Sequence, residues 1–86
     1  MKETVDIKLW FKEDADHTEA RATLIIHGTA FTGAGQARRN PADANQPVIG
    51  EELAAARALS DLAHKLLDAA AEAISEREGA PVHLYD

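Results

Sequence analysis

The 86-residue sequence contains no cysteine. Disulfides, thiol nucleophiles and thiolate metal sites are therefore excluded, and nothing points to an oxidising compartment. The first residues, MKETVDIKLW, lack the roughly 7–15-residue apolar run of a signal peptide, and no segment reaches the ~20 apolar residues of a membrane span. We expect a cytoplasmic protein that folds as a single domain over residues 1–86.

Basic residues are also scarce. Nine lysines and arginines face fifteen acidic residues, which gives a formal charge of −6. A negative field repels nucleic acid and anionic lipid at long range, although the ordinary role of such charge is solubility. The 45% apolar content is typical of a globular chain and argues against disorder.

Residues 4–12 alternate between apolar and polar side chains, the period of a strand with one buried face. The apolar set is Val5, Ile7, Leu9 and Phe11. A polar loop follows at residues 13–17, and residues 19–27 alternate again with many β-branched side chains. The short loop predicts an antiparallel hairpin with both apolar sets on one face. The predicted pairs are Leu9 with Ala22 and Ile7 with Leu24.

A third strand is predicted over residues 30–38, after a turn at residues 28–29. Two glycines, Gly33 and Gly35, lower its strand propensity and share a face with Phe31 and Ala37. We predict that this small-residue stripe lets an alanine-rich helix approach the sheet closely. The alternative is that the glycines mark a β-bulge.

Residues 50–77 predict one long helix that is rich in alanine and leucine, with a stop signal at Gly79 and Pro81. Its apolar arc spans about 160°, against the ~100° that a core-facing helix needs. The arc comprises Leu59, Leu62, Ala63, Leu66, Leu67, Ala70, Ala73 and Ile74. The opposite, solvent-facing side comprises Arg57, Asp61, His64, Asp68 and Ser75.

The predicted fold class is therefore α+β, of order βββα, with a three-stranded antiparallel sheet and the helix packed on one face. The helix is ~40 Å long and an eight-residue strand only ~27 Å, so the helix outruns its sheet. We expect either the tail, residues 82–85, or a second subunit to cover the surplus. Whether that tail adds a strand stays open.

The alternation places Trp10 on the sheet face away from the helix, near Ile25 and opposite Arg21. A sheet with one helix leaves its second face uncovered, so these residues are candidates for a dimer or partner contact. Stacking of Arg21 on the indole is expected. The plain alternative is an isolated surface aromatic.

The pair Arg38 and Arg39 precedes a predicted loop over residues 40–49 that contains two prolines. The pair is a candidate ligand site for a phosphate or carboxylate at this loop. With Lys12, it also supports weak nucleic-acid binding as an alternative function. A solvated pair and a simple crossover loop are the plainer interpretations.

No arrangement of residues predicts catalysis, a cofactor or a metal site. The four histidines lack the four-residue spacing of helical zinc ligands. Asp61, His64 and Asp68 share a predicted helix face and could hold a metal weakly, but solvated side chains are the favoured interpretation. Asp61 with Lys65 is an ordinary i, i+4 pair. Gly33-Ala34-Gly35 does not continue into a dinucleotide fingerprint. We expect no enzymatic activity.

Most of the chain resembles a known family. The blocks that carry the resemblance are Gly33-x-Gly35, Ala37-Arg38, Asn40-Pro41-Ala42-Asp43, Ile49-Gly50-Glu51-Glu52-Leu53-Ala54-Ala55-Ala56-Arg57-Ala58-Leu59 and Leu62-Ala63-x-x-Leu66-Leu67-Asp68. They resemble the small actinobacterial proteins called domain of unknown function 1876, which are described as double-stranded-RNA-binding-domain-like. The resemblance implies a three-stranded sheet with one helix and no established activity.

The residues do not favour the RNA-binding function that this fold label suggests. Double-stranded-RNA binders carry a lysine cluster where the last helix begins, and this chain has Glu51 and Glu52 there. Their N-terminal helix is missing as well. We therefore predict a non-enzymatic protein-interaction or self-association module, a dimer or a protein complex, with nucleic acid and membrane not expected as partners.

Overall fold

The structure is a computed structural model that describes residues 2–38 and 47–79. Three strands form one antiparallel sheet in the order β1-β2-β3, and one long helix follows. The elements are β1 (Lys8–Glu13), β2 (His17–Ile26), β3 (Thr29–Arg38) and α1 (Pro47–Glu78). The predicted α+β architecture of order βββα is confirmed.

The first hairpin has the predicted register, with Leu9 opposite Ala22. The strand β1 begins at Lys8, however, four residues later than the alternation predicts, so the expected pair of Ile7 with Leu24 lies outside the ladder. The backbone N–H of Asp14 donates to the carbonyl oxygen of His17 at 2.8 Å and closes the hairpin.

The second hairpin turns at His27 and Gly28, one residue earlier than predicted. Both residues have positive φ, 47° and 80°. A two-residue turn with both central residues at positive φ matches the twist of the flanking strands. Ile26 and Thr29 therefore pair directly, and the ladder continues without interruption to His17 opposite Arg38.

The glycines of β3 let the helix backbone rest directly on the sheet. A Cβ atom at Gly33 would collide with the carbonyl oxygen of Ala58 and the backbone nitrogen of Leu62. One at Gly35 would collide with the backbone of Ala58 and Ala54. These contacts confirm the predicted close approach of the helix. Every residue of β2 keeps a partner on β3, so the alternative prediction of a β-bulge is wrong.

The core is small and lies between α1 and the strands β2 and β3. Its helix residues are Ala54, Ala58 and Leu62, with Leu66 packed at the margin. These residues are spaced by four and include the two alanines that face the glycines. The apolar arc predicted from Leu59 onward is therefore placed too far around the helix, since Leu59 is 37% exposed. Side-chain size decides which stripe is buried, because the small Ala54 and Ala58 let the helix backbone contact the glycines.

The helix does outrun the sheet, as predicted. It has 32 residues, about 48 Å at 1.5 Å each, whereas the ten-residue strands span about 33 Å. Its last buried side chain is Leu62, sixteen residues before the helix ends at Glu78. The tail at residues 82–85 lies outside the described residues.

Candidate interaction surface

The outer edge of β3 is covered by three helix side chains. Arg57 Nη1 donates to the carbonyl oxygen of Gln36 at 2.7 Å, and Lys65 Nζ donates to that of Thr32 at 2.7 Å. Between them, the backbone N–H of Ala34 donates to Asp61 Oδ2 at 2.9 Å. The three side chains are one helical turn apart, so a single row of the helix satisfies alternate backbone groups of the edge.

Arg57 and Asp61 remain on the polar side of the helix, as predicted, and Arg57 is exposed, but both side chains also bind the edge of β3. The hydrogen bond from Ala34 is the main cause that lowers the pKa of Asp61, with Lys65, 3.2 Å away, as the second. The pair of Asp61 and Lys65 is therefore more than an ordinary surface pair. The spacing 57, 61, 65 was visible in the sequence, but the partner strand was not.

The opposite edge of the sheet is β1, and no residue among 2–38 and 47–79 is bonded to its outward backbone groups. Successive residues of an antiparallel strand direct their N–H and C=O groups to alternate sides. Ala34 directs its group outward, so its partner Arg21 directs its own groups toward Trp10 on β1. The next residues of β1, Leu9 and Phe11, consequently direct their backbone groups to the free edge.

The side chains of β1 are exposed too. All six residues of the strand are exposed, which corrects the prediction of one buried face for residues 4–12. Leu9 and Phe11 remain 40% and 39% exposed, and Ile7 just before the strand is 48% exposed. The glycine contacts draw α1 over β2 and β3, where Ala20 and Ala22 are fully buried, and the helix does not extend over β1.

The start of the helix approaches β1 at one point. Partial loss of water raises the pKa of the Glu13 carboxyl above its usual value, and so do its hydrogen bond to Glu51 and the negative charge there. Because residues four apart lie on one side of a helix, Ala55 and Leu59 continue the Glu51 row along β1. We call the exposed group of Ile7, Leu9, Phe11 and Leu59 the β1 surface.

The open face of the sheet, opposite the helix, holds the residues predicted as a contact. Trp10 pairs with Arg21, whose guanidinium carbon lies 5.6 Å from the indole centroid, so the expected stacking is confirmed. Ile25 shares the face and is 60% exposed. Thr23, however, separates it from Arg21 on β2, so Trp10 and Ile25 do not form one compact patch.

The open face is basic although the whole chain is acidic. Alternation along the strands places four basic side chains and one acidic one on it. The basic residues are Lys8, Lys12, Arg21 and Arg38, and the acidic one is Glu19. Sequence reasoning found Trp10 and Arg21 here but missed the segregation of charge, because it requires the register of all three strands.

The predicted ligand site at the arginine pair is only partly described. Arg38 ends β3, opposite His17 and exposed on the open face. Arg39 and residues 40–46 lie outside the described residues. Residues 47–49 belong to the first turn of α1, so the predicted loop over 40–49 extends three residues too far. Pro47 suits a first helical position, where the backbone N–H has no intrahelical acceptor.

Asp61 and His64, two of the three residues weighed as metal ligands with Asp68, bind different partners in the structure. Asp61 binds Ala34 and Lys65, while His64 Nδ1 lies 2.9 Å from the carbonyl oxygen of Ser60. Within residues 2–38 and 47–79, no three His, Asp or Glu side chains are grouped as metal ligands. Over the same residues, no helix has the length and apolarity to cross a membrane.

A model of the Rv2632c-like family matches residues 3–83. The chain belongs to the Rv2632c-like family. Mb1767, an uncharacterised protein of Mycobacterium bovis, is 42% identical over 81 residues, which cover 94% of this chain and 84% of Mb1767. Rv2632c of Mycobacterium tuberculosis, also uncharacterised, is 40% identical over 79 residues, which cover 92% and 85%.

The crystal structure of Rv2632c is similar to this chain, with a TM-score of 0.85 and 38% sequence identity. The match covers 94% of this chain and 96% of the Rv2632c chain. The fold is therefore that of the Rv2632c-like family over nearly its whole length. These relatives support the predicted resemblance to a small uncharacterised family with mycobacterial members, and they bring no activity with them.

Proposed function

We propose that this Rv2632c-like chain is a non-enzymatic protein-interaction domain that self-associates, and that its contact region is the β1 surface. One observation carries the proposal: β1 combines a free backbone edge with exposed apolar side chains. An uncovered edge strand templates pairing with another strand, and natural proteins ordinarily cover or interrupt such edges. This fold covers β3 in that way and leaves β1 available.

The proposal differs from the sequence prediction in the surface that it selects. Trp10, Ile25 and Arg21 were the candidate contact, and they remain a candidate on the open face. The β1 surface is the stronger choice because Leu9 and Phe11 offer backbone groups and apolar side chains together. Main-chain hydrogen bonds supply affinity in strand addition, and alternate side chains supply specificity.

The test is the oligomeric state of the purified chain, measured by sedimentation equilibrium over a wide concentration range. We expect association that Leu9→Glu abolishes, because the substitution places a charge on the contact. Ile25→Glu is the matched control, since it changes an exposed apolar strand residue on the open face. Association that Ile25→Glu or Trp10→Ala removes while Leu9→Glu does not would move the contact to the open face. Capture of a second protein that Leu9→Glu prevents would support the interaction domain without self-association.

Weak nucleic-acid binding is the second candidate, favoured by the basic open face around Trp10. An exposed aromatic ring among basic side chains is the arrangement on which single strands stack. Trp10 is the only tryptophan, so its fluorescence reports binding directly. Quenching by an oligonucleotide that strengthens as salt falls and disappears in Arg21→Glu would support this function. Unchanged emission at low salt would end it.

The predictions about family name, cellular location, cofactor and small ligand belong to this proposal as well. We propose that the Rv2632c-like relatives coincide with domain of unknown function 1876, that the protein is cytoplasmic, and that it needs no cofactor. An anionic small ligand at Arg38 and Arg39 is retained as an alternative, supported by the exposed position of Arg38 on the basic face. Its test is a stability screen with small anions, since a ligand that binds only the folded state raises the melting temperature.

A further inference from the structure

We infer that the partner of the β1 surface is a second copy of the chain, paired antiparallel through β1 with Leu9 at the twofold axis. Two three-stranded sheets then join into one continuous sheet with both helices on the same side. This inference rests on the proposed function and names its partner.

The backbone supports this pairing directly. Leu9 and Phe11 point their N–H and C=O groups to the free edge, and Ile7 follows the same alternation. With Leu9 at the axis, Leu9 pairs with its own copy and Ile7 pairs with Phe11 of the second copy. All three residues then exchange both backbone groups, and their half-exposed side chains lie beside one another on the helix side. The edge and the apolar side chains are satisfied by one contact.

The charges on β1 are compatible with this register. With Leu9 at the axis, Lys12 lies opposite Asp6 of the second copy, and Lys8 lies opposite the indole of Trp10. A register centred on Lys8, Trp10 or Lys12 would place lysine opposite lysine in at least one pair, which destabilises antiparallel strands. The backbone alternation allows registers centred on Ile7, Leu9 or Phe11. Of these, only the Leu9 register places all three apolar side chains opposite one another, because Phe11 would face Glu3 in the Ile7 register and Leu9 would face Glu13 in the Phe11 register.

The second copy is the occupant that this edge fits. It carries the same outward backbone groups and the same exposed apolar side chains on β1. It also offers Asp6 to Lys12 and Lys12 to Asp6, so the contact matches opposite charges twice.

Single cysteines test the register because the chain has none of its own. Leu9→Cys places two thiols across the axis, within the Cα separation of about 5.5 Å that a disulfide accepts. Phe11→Cys is the matched control: it has the same face and nearly the same exposure, but its copies lie about 14 Å apart. Under mild oxidation we expect covalent dimers from Leu9→Cys and few from Phe11→Cys, at concentrations where the native chain associates.

Charge exchange provides a second test that does not depend on oxidation. Asp6→Lys and Lys12→Asp should each raise the dimer Kd roughly 2–30-fold, because each replaces two matched pairs per dimer with like charges. The double variant restores the pairs and should return the Kd toward the native value. Circular dichroism melts of each variant separate a weakened dimer from a chain that fails to fold.

The outcomes distinguish this inference from the broader proposal. If the native chain has the mass of a dimer but only Phe11→Cys crosslinks, or neither variant does, the Leu9 register is wrong. Self-association itself would still be supported. A native chain that stays monomeric at millimolar concentration overturns the second copy as partner. In that case, loss of a captured protein in Leu9→Glu would leave the interaction domain intact.

Discussion

The two edges of this sheet are treated in opposite ways by the same helix. At β3, Arg57, Asp61 and Lys65 bind alternate backbone groups and close the edge. At β1, the side chains are exposed along the whole strand, and Leu9 and Phe11 direct their backbone groups to the edge. The comparison shows that one helix packed on three strands can cover the edge at β3 only by leaving the edge at β1 uncovered.

The largest effect is expected from moving the helix off β3. Gly35→Ala would force a methyl group into the backbone of Ala54 and Ala58, which cannot shift independently of the helix. Overpacking typically costs about 1–3 kcal/mol, and we expect at least about 3 kcal/mol here because the obstacle is backbone. Urea unfolding measures it. Ala34→Val, on the exposed face of the same strand, is the control and should change the free energy of unfolding by less than about 1 kcal/mol.

The second prediction compares one leucine from each side of the molecule. Leu62 is 2% exposed in the core, whereas Leu9 is 40% exposed on β1. Leu62→Ala should lower the free energy of unfolding by about 2–5 kcal/mol, through lost burial and a cavity. Leu9→Ala should cost under about 1 kcal/mol when measured on the monomer. Similar costs for the two would mean that β1 is covered in solution and would break the comparison.

The third prediction concerns Asp61, whose removal exposes the backbone N–H of Ala34 at the edge of β3. The lowered pKa of Asp61 means that its charged form stabilises the fold above the unfolded pKa, near 3.8, and that this contribution is lost as pH falls through the lower folded value. Asp61→Ala should therefore reduce the melting temperature at pH 7 and match the native protein in strong acid. Glu72→Ala, which removes an exposed acidic residue of the same helix, is the control. An Asp61→Ala deficit that persists unchanged into strong acid would rule out this explanation.

The smallest effect concerns the contact between the helix start and β1. The raised pKa of Glu13 means that its protonated form is favoured in the fold, so this stability is present below the unfolded pKa, near 4.5, and is lost as pH rises through the folded value. Glu51→Gln should therefore raise the melting temperature slightly at pH 7 and lose that advantage in acid. Glu52→Gln, its neighbour in the chain, serves as the control for the change in net charge.

The alternation and spacing of residues in the sequence predicted the structure correctly where a residue and its partner are close along the chain. The hairpin register of Leu9 with Ala22, the long helix and the stacking of Arg21 on Trp10 were all predictable, because short loops and alternation fix them. The close approach at Gly33 and Gly35 was also predictable, since two glycines on one strand face an alanine-rich helix. Strand ends moved by up to four residues, because alternation alone cannot say where pairing stops.

Contacts between elements that are far apart in the sequence could not be predicted from the alternation of apolar and polar residues. An alternating set such as Ile7, Leu9 and Phe11 predicts an apolar face, but it cannot say whether the helix covers that face. The hydrogen bonds of Arg57 and Asp61 to β3 were not predicted, because a strand over twenty residues away leaves no local signature in the sequence. The basic open face likewise appears only when three strands are aligned.

The sequence by itself determined the order of elements, the first register and the glycine stripe, because each depends on period and side-chain size within a short segment. Only the tertiary structure decided that the helix sits over β2 and β3, that Arg57, Asp61 and Lys65 close one edge, and that the helix leaves β1 uncovered. The physical reason is geometric: the backbone contact at Gly33 and Gly35 fixes the lateral position of the helix, and one helix is too narrow to cover three strands.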